Sequence, residues 1–210
     1  MQKGIIFDLD GVICSTDEYH YRAWKALAER EGITFDRTIN DRLRGVSRMA
    51  SLDIVLEKAT RAYSSEEKAA LAEEKNRFYR ALLKQMGRDD LSPETKRTLD
   101  TLRERGYLLA IGSSSKNAPL ILERIGLDGF FDAISDGNHI THSKPNPEVF
   151  LKAAQMLKLT PRDCLVVEDA RAGIQAAHDG GFESAALGDA VNSTLATYRL
   201  TCFADLLKIR

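Results

Sequence analysis

A chain of 210 residues with 43% hydrophobic and 29% charged residues can bury the core of one large domain or two small ones. With 30 basic against 31 acidic side chains and a net charge of -1, it carries neither the basic surplus of a nucleic-acid binder nor a like-charged tail. No apolar run approaches the roughly 18 residues of a membrane span, and the start lacks the basic and apolar regions of a secretory signal. Cys14, Cys164 and Cys202 are too widely spaced for a metal motif. The expectation is a cytoplasmic protein with reduced structural thiols and neither a nucleic-acid nor a membrane partner.

The first predicted element is a buried strand over the apolar run Ile5 to Phe7, ending in Asp8-Leu9-Asp10-Gly11. Side chains alternate along an extended chain, so Asp8 and Asp10 share one side and Leu9 the other. Taken alone, such a tetrapeptide is equally well a surface turn. The pattern then becomes helical. Residues 17–31 carry the stripe Tyr21, Trp24, Leu27 and Ala28, with Thr16 or Asp17 as cap and Gly32 as stop. Helices follow over 40–43, 49–62 and 65–83, the last opening at a Ser-Ser-Glu-Glu-Lys run whose charges read as a solvated face.

Beyond residue 85 strands and helices alternate. A helix over 93–105 leads into a strand over 107–112 that ends in Ser113-Ser114-Ser115-Lys116-Asn117. A helix with Pro119 in its first turn runs to Gly126, a short strand spans 131–135, and Ser143-Lys144-Pro145 precedes a helix over 148–158. A fourth strand over 164–167 ends in Glu168-Asp169, and a helix over 170–178, a strand over 184–187 and a closing helix over 203–209 complete the chain. This is an α/β pattern, a doubly wound parallel sheet with helices on both faces. The expected core is 1–13 with 86–210, and 14–85 is a helical cap inserted after the first strand.

In open α/β sheets ligands sit beyond the carboxyl ends of the strands. Collected there are Asp8 and Asp10, Ser113, Lys144, and Glu168 with Asp169. Carboxylates crowded together repel by roughly 1 to 4 kcal/mol per close pair at surface-like dielectrics, so a cation belongs among them. An oxygen-only set without a His or Cys cluster suits Mg²⁺ rather than zinc. A hydroxyl and an ammonium are what phosphoryl oxygens need, and the constellation points to phosphoryl transfer.

The order Asp-x-Asp-Gly, Ser, Lys-Pro, Glu-Asp resembles the haloacid dehalogenase superfamily across nearly the whole chain. Within it, Asp8 to Ile13, Glu18 to Trp24, Gly45-Val46-Ser47-Arg48, Lys75-Asn76, Ser113 to Asn117 and Ala172 to Gln175 are similar to the β-phosphoglucomutase branch. The resemblance implies Asp8 as nucleophile and Asp10 as general acid and base, with Ser113 and Lys144 on the transferring group. It implies Mg²⁺ on Asp8, Asp10 (through its main-chain carbonyl), Asp169 and Glu168. It further implies Gly45, Val46, Ser47 and Arg48 with Ser115, Lys116 and Asn117 around the sugar and its remote phosphate, and His20 and Lys75 acting on Asp10 from the cap. Sugar phosphates are the implied small-molecule partners of a monomer, with glucose 1,6-bisphosphate as primer and intermediate.

From the residues alone, His20 is equally a structural helix histidine, and Arg48 and Lys75 could be solvated charges. Members of that branch carry a carboxylate where Ser15 stands, which leaves open a sugar-phosphate phosphatase of the same superfamily. A silent sugar-phosphate sensor is a third alternative, though a sensor needs neither a nucleophile nor an acid. Cys14 reads as an inert thiol, and His139 and His142 remain unassigned.

Overall fold

The computed structural model describes residues 2–209. At its centre is a six-stranded sheet in the order β3-β2-β1-β4-β5-β6, with every pairing parallel. The strands are β1 (Gly4–Phe7), β2 (Leu108–Gly112), β3 (Ala133–Ser135), β4 (Cys164–Glu168), β5 (Glu183–Ala186) and β6 (Tyr198–Arg199). β1 and β2 are apolar throughout, and β4 is apolar up to Val167, because both faces of a parallel sheet are covered.

Between β1 and β2 come α1 (Asp17–Arg30), α2 (Arg37–Asp41), α3 (Arg48–Leu56) and α4 (Ser65–Leu83). They bury their own cluster, built on Trp24, Leu27, Leu43, Leu52, Val55 and Leu71. The foot of α4 does not belong to it: Tyr79 and Leu83 pack into the main core with Cys14 and Met86. The helices after β2 are α5 (Pro93–Glu104), α6 (Ala118–Arg124), α7 (Glu148–Met156) and α8 (Arg171–Asp179). Strand alternation sorts the core into two layers. Ile5, Phe7, Ile111 and Val167 face α5 and α6, while Ile6, Ala110 and Val166 face α7 and α8.

β1 lies between β2 and β4, and the chain runs outward through β2 and β3 before crossing back to β4. At that switch point the loops beyond β1 and β4 diverge and leave a crevice. Pairing of Phe7 with Val167 brings Asp8 level with Glu168, and Asp8 N donates to Val167 O at 2.9 Å.

Several element ends differ from the sequence expectation. The helix expected at 40–43 is α2, started earlier by Asp36, whose carboxylate accepts from Ile39 N at 2.9 Å. α3 stops at Leu56 rather than 62, where its apolar positions run out and Arg42 grips Glu57 through two 2.7 Å bonds. α7 ends at Met156 because Lys158 adopts a left-handed conformation, φ 59°. Phe131 precedes β3 and packs edge-on against Phe7 instead of extending the strand. The closing helix is a 3₁₀ segment, Phe203–Lys208, and β6 was not expected at all. Helix 65–83 stands as read, opened by a reciprocal Ser64–Glu67 cap.

Candidate active site

Every residue singled out from the sequence for the site lines one cavity of about 640 Å³ between the sheet's carboxyl edge and the inserted helices. That is the size of a small-ligand site. From the core come Asp8, Asp10, Ser113, Ser115, Lys116, Asn117, Lys144, Glu168 and Asp169. From the inserted segment come His20, Gly45, Val46, Ser47, Arg48 and Lys75.

Lys144 is buried between Asp8 and Glu168. Its ammonium donates to Asp8 Oδ1 and, at 2.6 Å, to Glu168 Oε1. Glu168 Oε2 accepts from Ala170 N at 2.8 Å, so both its oxygens already have partners. Gly173 of α8 makes room for this carboxylate, since a Cβ there would stand 1.8 Å from Glu168 Oε1. Burial works against the Lys144 charge, yet Asp8 and Glu168 hold its pKa above the usual value.

The carboxylates feel the reverse. Burial drives Asp8 well above the ordinary range against the pull of Lys144, and Glu168, Asp169 and Asp10 push it further. Asp169 is pushed up to about 7, first by burial and then by Glu168. Four carboxylates around one ammonium thus leave a deficit of positive charge that a divalent cation would fill. Gly11, at φ +87°, turns the chain so that Asp169 lies against the Asp8–Asp10 loop, where any side chain would collide with its Oδ2. Among the described residues no three or more His, Cys, Asp or Glu side chains are grouped so that they alone could hold a metal ion. An ion here would draw on Asp8, the Asp10 carbonyl and Asp169, leaving positions for water and phosphate, which is the habit of Mg²⁺.

Asp10 is raised by burial and partly brought back by a hydrogen bond from the Thr16 hydroxyl. Thr16 occupies the N-cap position of α1 but makes no capping bond with its side chain. Contrary to the expectation, the hydroxyl does not cap the helix and donates to Asp10 Oδ1 instead. Opposite Asp10, Lys75 Nζ lies 2.8 Å from His20 Nδ1 and 4.6 and 4.5 Å from the ring centres of Trp24 and Tyr79. Burial, with Lys75 and then Arg48 nearby, keeps the imidazole pKa well below its usual value. A neutral ring that accepts at Nδ1 carries its proton on Nε2, the nitrogen left free to donate.

At another side of the cavity, Arg48 contacts Glu73 at 3.4 Å. Asn117 donates to Asn76 Oδ1 at 3.0 Å and accepts from Arg80 at 3.2 Å. Sequence reasoning missed Thr16's link to Asp10, together with Glu73, Asn76 as a partner of Asn117, and Arg80. Their only signal is helical spacing on α4, which shows a shared face without showing what the face meets. Ser15, which stands where the resembled branch carries a carboxylate, is exposed and also lines the cavity. Cys14 is buried, and burial pushes its thiol well up, as an inert cysteine requires. His139 and His142 have separate partners, Asp136 and Glu148.

The profile of haloacid dehalogenase-like hydrolases matches residues 2–181. The chain belongs to the haloacid dehalogenase-like hydrolase family. Beta-phosphoglucomutase of Bacillus subtilis (strain 168) is 43% identical to it over 188 residues, spanning 89% of this chain and 83% of the relative. Fructose-1-phosphate phosphatase YqaB of Escherichia coli K12 is 33% identical over 187 residues, spanning 86% and 94%. The crystal structure of beta-phosphoglucomutase from Clostridium difficile superposes with a TM-score of 0.92 at 38% identity, covering 98% of this chain and 93% of that one. This haloacid dehalogenase-like chain is therefore an enzyme. No helix among the described residues is long and apolar enough to cross a membrane.

Proposed function

We propose that the chain is a β-phosphoglucomutase, a phosphotransferase that interconverts β-D-glucose 1-phosphate and D-glucose 6-phosphate through a β-glucose 1,6-bisphosphate intermediate and an aspartyl-phosphate enzyme. One observation carries this reading: a single cavity holds two separate sets of anion-binding groups. Ser113 and Lys144, beside Asp8, make the set at the reacting end, and Arg48, Lys116 and Asn117 make the other. A phosphatase needs one phosphate grip, whereas a bisphosphate intermediate needs two. Both sets come from one chain, so a monomer suffices.

Asp8 is the nucleophile. Its carboxylate attacks phosphorus as the bond to the sugar oxygen breaks, giving an acyl phosphate and splitting one hard transfer into two easier ones. Lys144 and Ser113 hold the equatorial oxygens as charge spreads over them. Asp10, raised by burial, carries the proton that the departing sugar oxygen takes, and it removes a proton from the hydroxyl that attacks in the second transfer. His20, donating from Nε2 and held by Lys75, orients Asp10 or the sugar hydroxyl.

Asp8, the Asp10 carbonyl and Asp169 are the ligands proposed for Mg²⁺, with Glu168 behind them as the partner of Lys144. The bound ion would neutralise negative charge on the phosphoryl oxygens.

We further propose that residues 14–85 act as a cap, hinged near residue 14 and near residue 85. Water competes with the sugar for the acyl phosphate, and the closed cavity roof excludes it. Arg48 is suited to drive closure because a guanidinium meets phosphate with two parallel hydrogen bonds, so that remote binding energy is spent on the reacting end.

The test is an NMR time course with β-glucose 1-phosphate, Mg²⁺ and a trace of glucose 1,6-bisphosphate as primer. Appearance of glucose 6-phosphate without matching inorganic phosphate is the expected result. Steady release of phosphate with no isomer would replace this reading by a phosphatase.

A further inference from the structure

Glu73, Asn76 and Arg80 fall on one face of α4 at spacings of three and four residues. Each touches a residue that the proposed function assigns to the remote phosphate. Glu73 Oε2 is 3.4 Å from Arg48 Nη1, Asn76 Oδ1 accepts from Asn117 Nδ2 at 3.0 Å, and Arg80 Nη1 donates to Asn117 Oδ1 at 3.2 Å. Asn76 Nδ2 also stands 3.5 Å from Glu73 Oε1, which joins the contacts into one network from the inserted helices to the core. Asn117 is buried, with both ends of its amide held by α4.

A carboxylate is an unexpected neighbour for the groups that would grip a phosphate. Glu73 lines the cavity, and its side chain is 60% exposed, against 24% for the Arg48 side chain beside it. A phosphate arriving at Arg48 must share or displace that carboxylate, and the two anions repel. Arg80 has the opposite sign of effect. It adds a positive charge close enough to Arg48 to help lower that guanidinium's pKa, behind the larger effect of burial. It also fixes the amide plane of Asn117.

We propose that this face of α4 sets the grip on the remote phosphate in two opposed directions, Glu73 competing for Arg48 and Arg80 positioning Asn117. The inference rests on the mutase reading for the identity of that phosphate. Its purpose follows from the reaction: the bisphosphate has to let go, turn and bind again between the two transfers. A carboxylate that takes over Arg48 as the phosphate leaves keeps a half-buried guanidinium paired and eases release. Neither residue touches the reacting atoms, so both are positioning residues.

The experiment compares initial rates of wild-type enzyme, Glu73→Gln, Arg80→Gln and Arg80→Lys with β-glucose 1-phosphate, Mg²⁺ and primer. KM should fall about three-fold or more in Glu73→Gln and rise about three-fold or more in Arg80→Gln, the size of a partly exposed ion pair or hydrogen bond. kcat should move less than KM, and Arg80→Lys should recover part of the loss. General damage to α4 raises KM in both glutamine variants, so a rise in both overturns the proposal. An unchanged KM in either one, or Arg80→Lys no better than Arg80→Gln, also overturns it. If the wild type only releases phosphate, the mutase reading falls, and opposite movement of the two KM values for that hydrolysis still decides this inference.

Discussion

Lys75→Met should stabilise the fold while damaging turnover. Lys75 is only 3% exposed, and its ammonium has no carboxylate hydrogen-bond partner among the described residues. It has the imidazole of His20 at 2.8 Å and two aromatic faces at 4.6 and 4.5 Å. Burial drives its pKa well below the ordinary 10.5, Arg48 adds to this, and Asp10 opposes it. Removing an ammonium from water costs several kcal/mol after relaxation. Desolvated aromatic faces return about 1 to 2 kcal/mol each. Methionine keeps most of the packed stem and removes the charge, so a net gain of about 1–2 kcal/mol is expected at pH 7. For a chain of this length each kcal/mol shifts Tm by roughly 2–4 °C, which makes the expected rise roughly 2–8 °C.

The pH dependence gives an independent check. With the folded pKa below the unfolded one, the unfolded chain binds more protons between those two values, and wild-type stability climbs with pH through that window. The variant lacks this slope. Its advantage is complete below the folded pKa and vanishes above the unfolded one. Urea unfolding followed through Trp24, the single tryptophan, at pH 7, 8.5 and 10 measures both effects. A variant less stable than wild type at pH 7, or an advantage that does not shrink as pH rises, refutes the reasoning.

Asp8→Asn should abolish both turnover and the acid-stable, base-labile phosphoenzyme seen after quenching with denaturing acid; residual turnover within ten-fold of wild type would remove Asp8 from the chemistry. Thr16→Val removes the hydrogen bond that lowers the Asp10 pKa, so Asp10 needs a higher pH to deprotonate and the acid limb of the kcat profile should move up in pH. Gly173→Ala places a methyl group against Glu168 and should break the Glu168 contacts with Lys144 and Ala170, costing about 3 kcal/mol or more of stability because it leaves a buried charge unpaired. Chelation of divalent ions should stop turnover and Mg²⁺ should restore it, and Asp169→Asn should raise the Mg²⁺ concentration needed for half-maximal rate.

Legibility followed physical range. β1 and β4 were readable because a short apolar run bounded by Asp-x-Asp-Gly or Glu-Asp has few other homes than a buried parallel strand. Helix 65–83 was readable because its start is chemical, with Ser64 and Glu67 satisfying each other's backbone groups. β6 was not, since two residues paired through Ala185 and Ala186 leave no periodicity to detect. The end of α3 was missed because residues 57–62 still look helical in composition although they pack little.

The same boundary runs through the site. Local pattern was enough to put Asp8, Asp10, Ser113, Lys144, Glu168 and Asp169 at one edge, because parallel strands all finish on the same side of their sheet. It could not say that β4 lies beside β1, and that neighbour relation is what sets Glu168 and Asp8 on either side of Lys144. Nor could it say that Thr16 turns to Asp10, or that Glu73 and Arg80 meet Arg48 and Asn117. Strand order and the docking of one helix on another arise from burial summed over residues distant in the chain, and no window of neighbouring residues contains that sum.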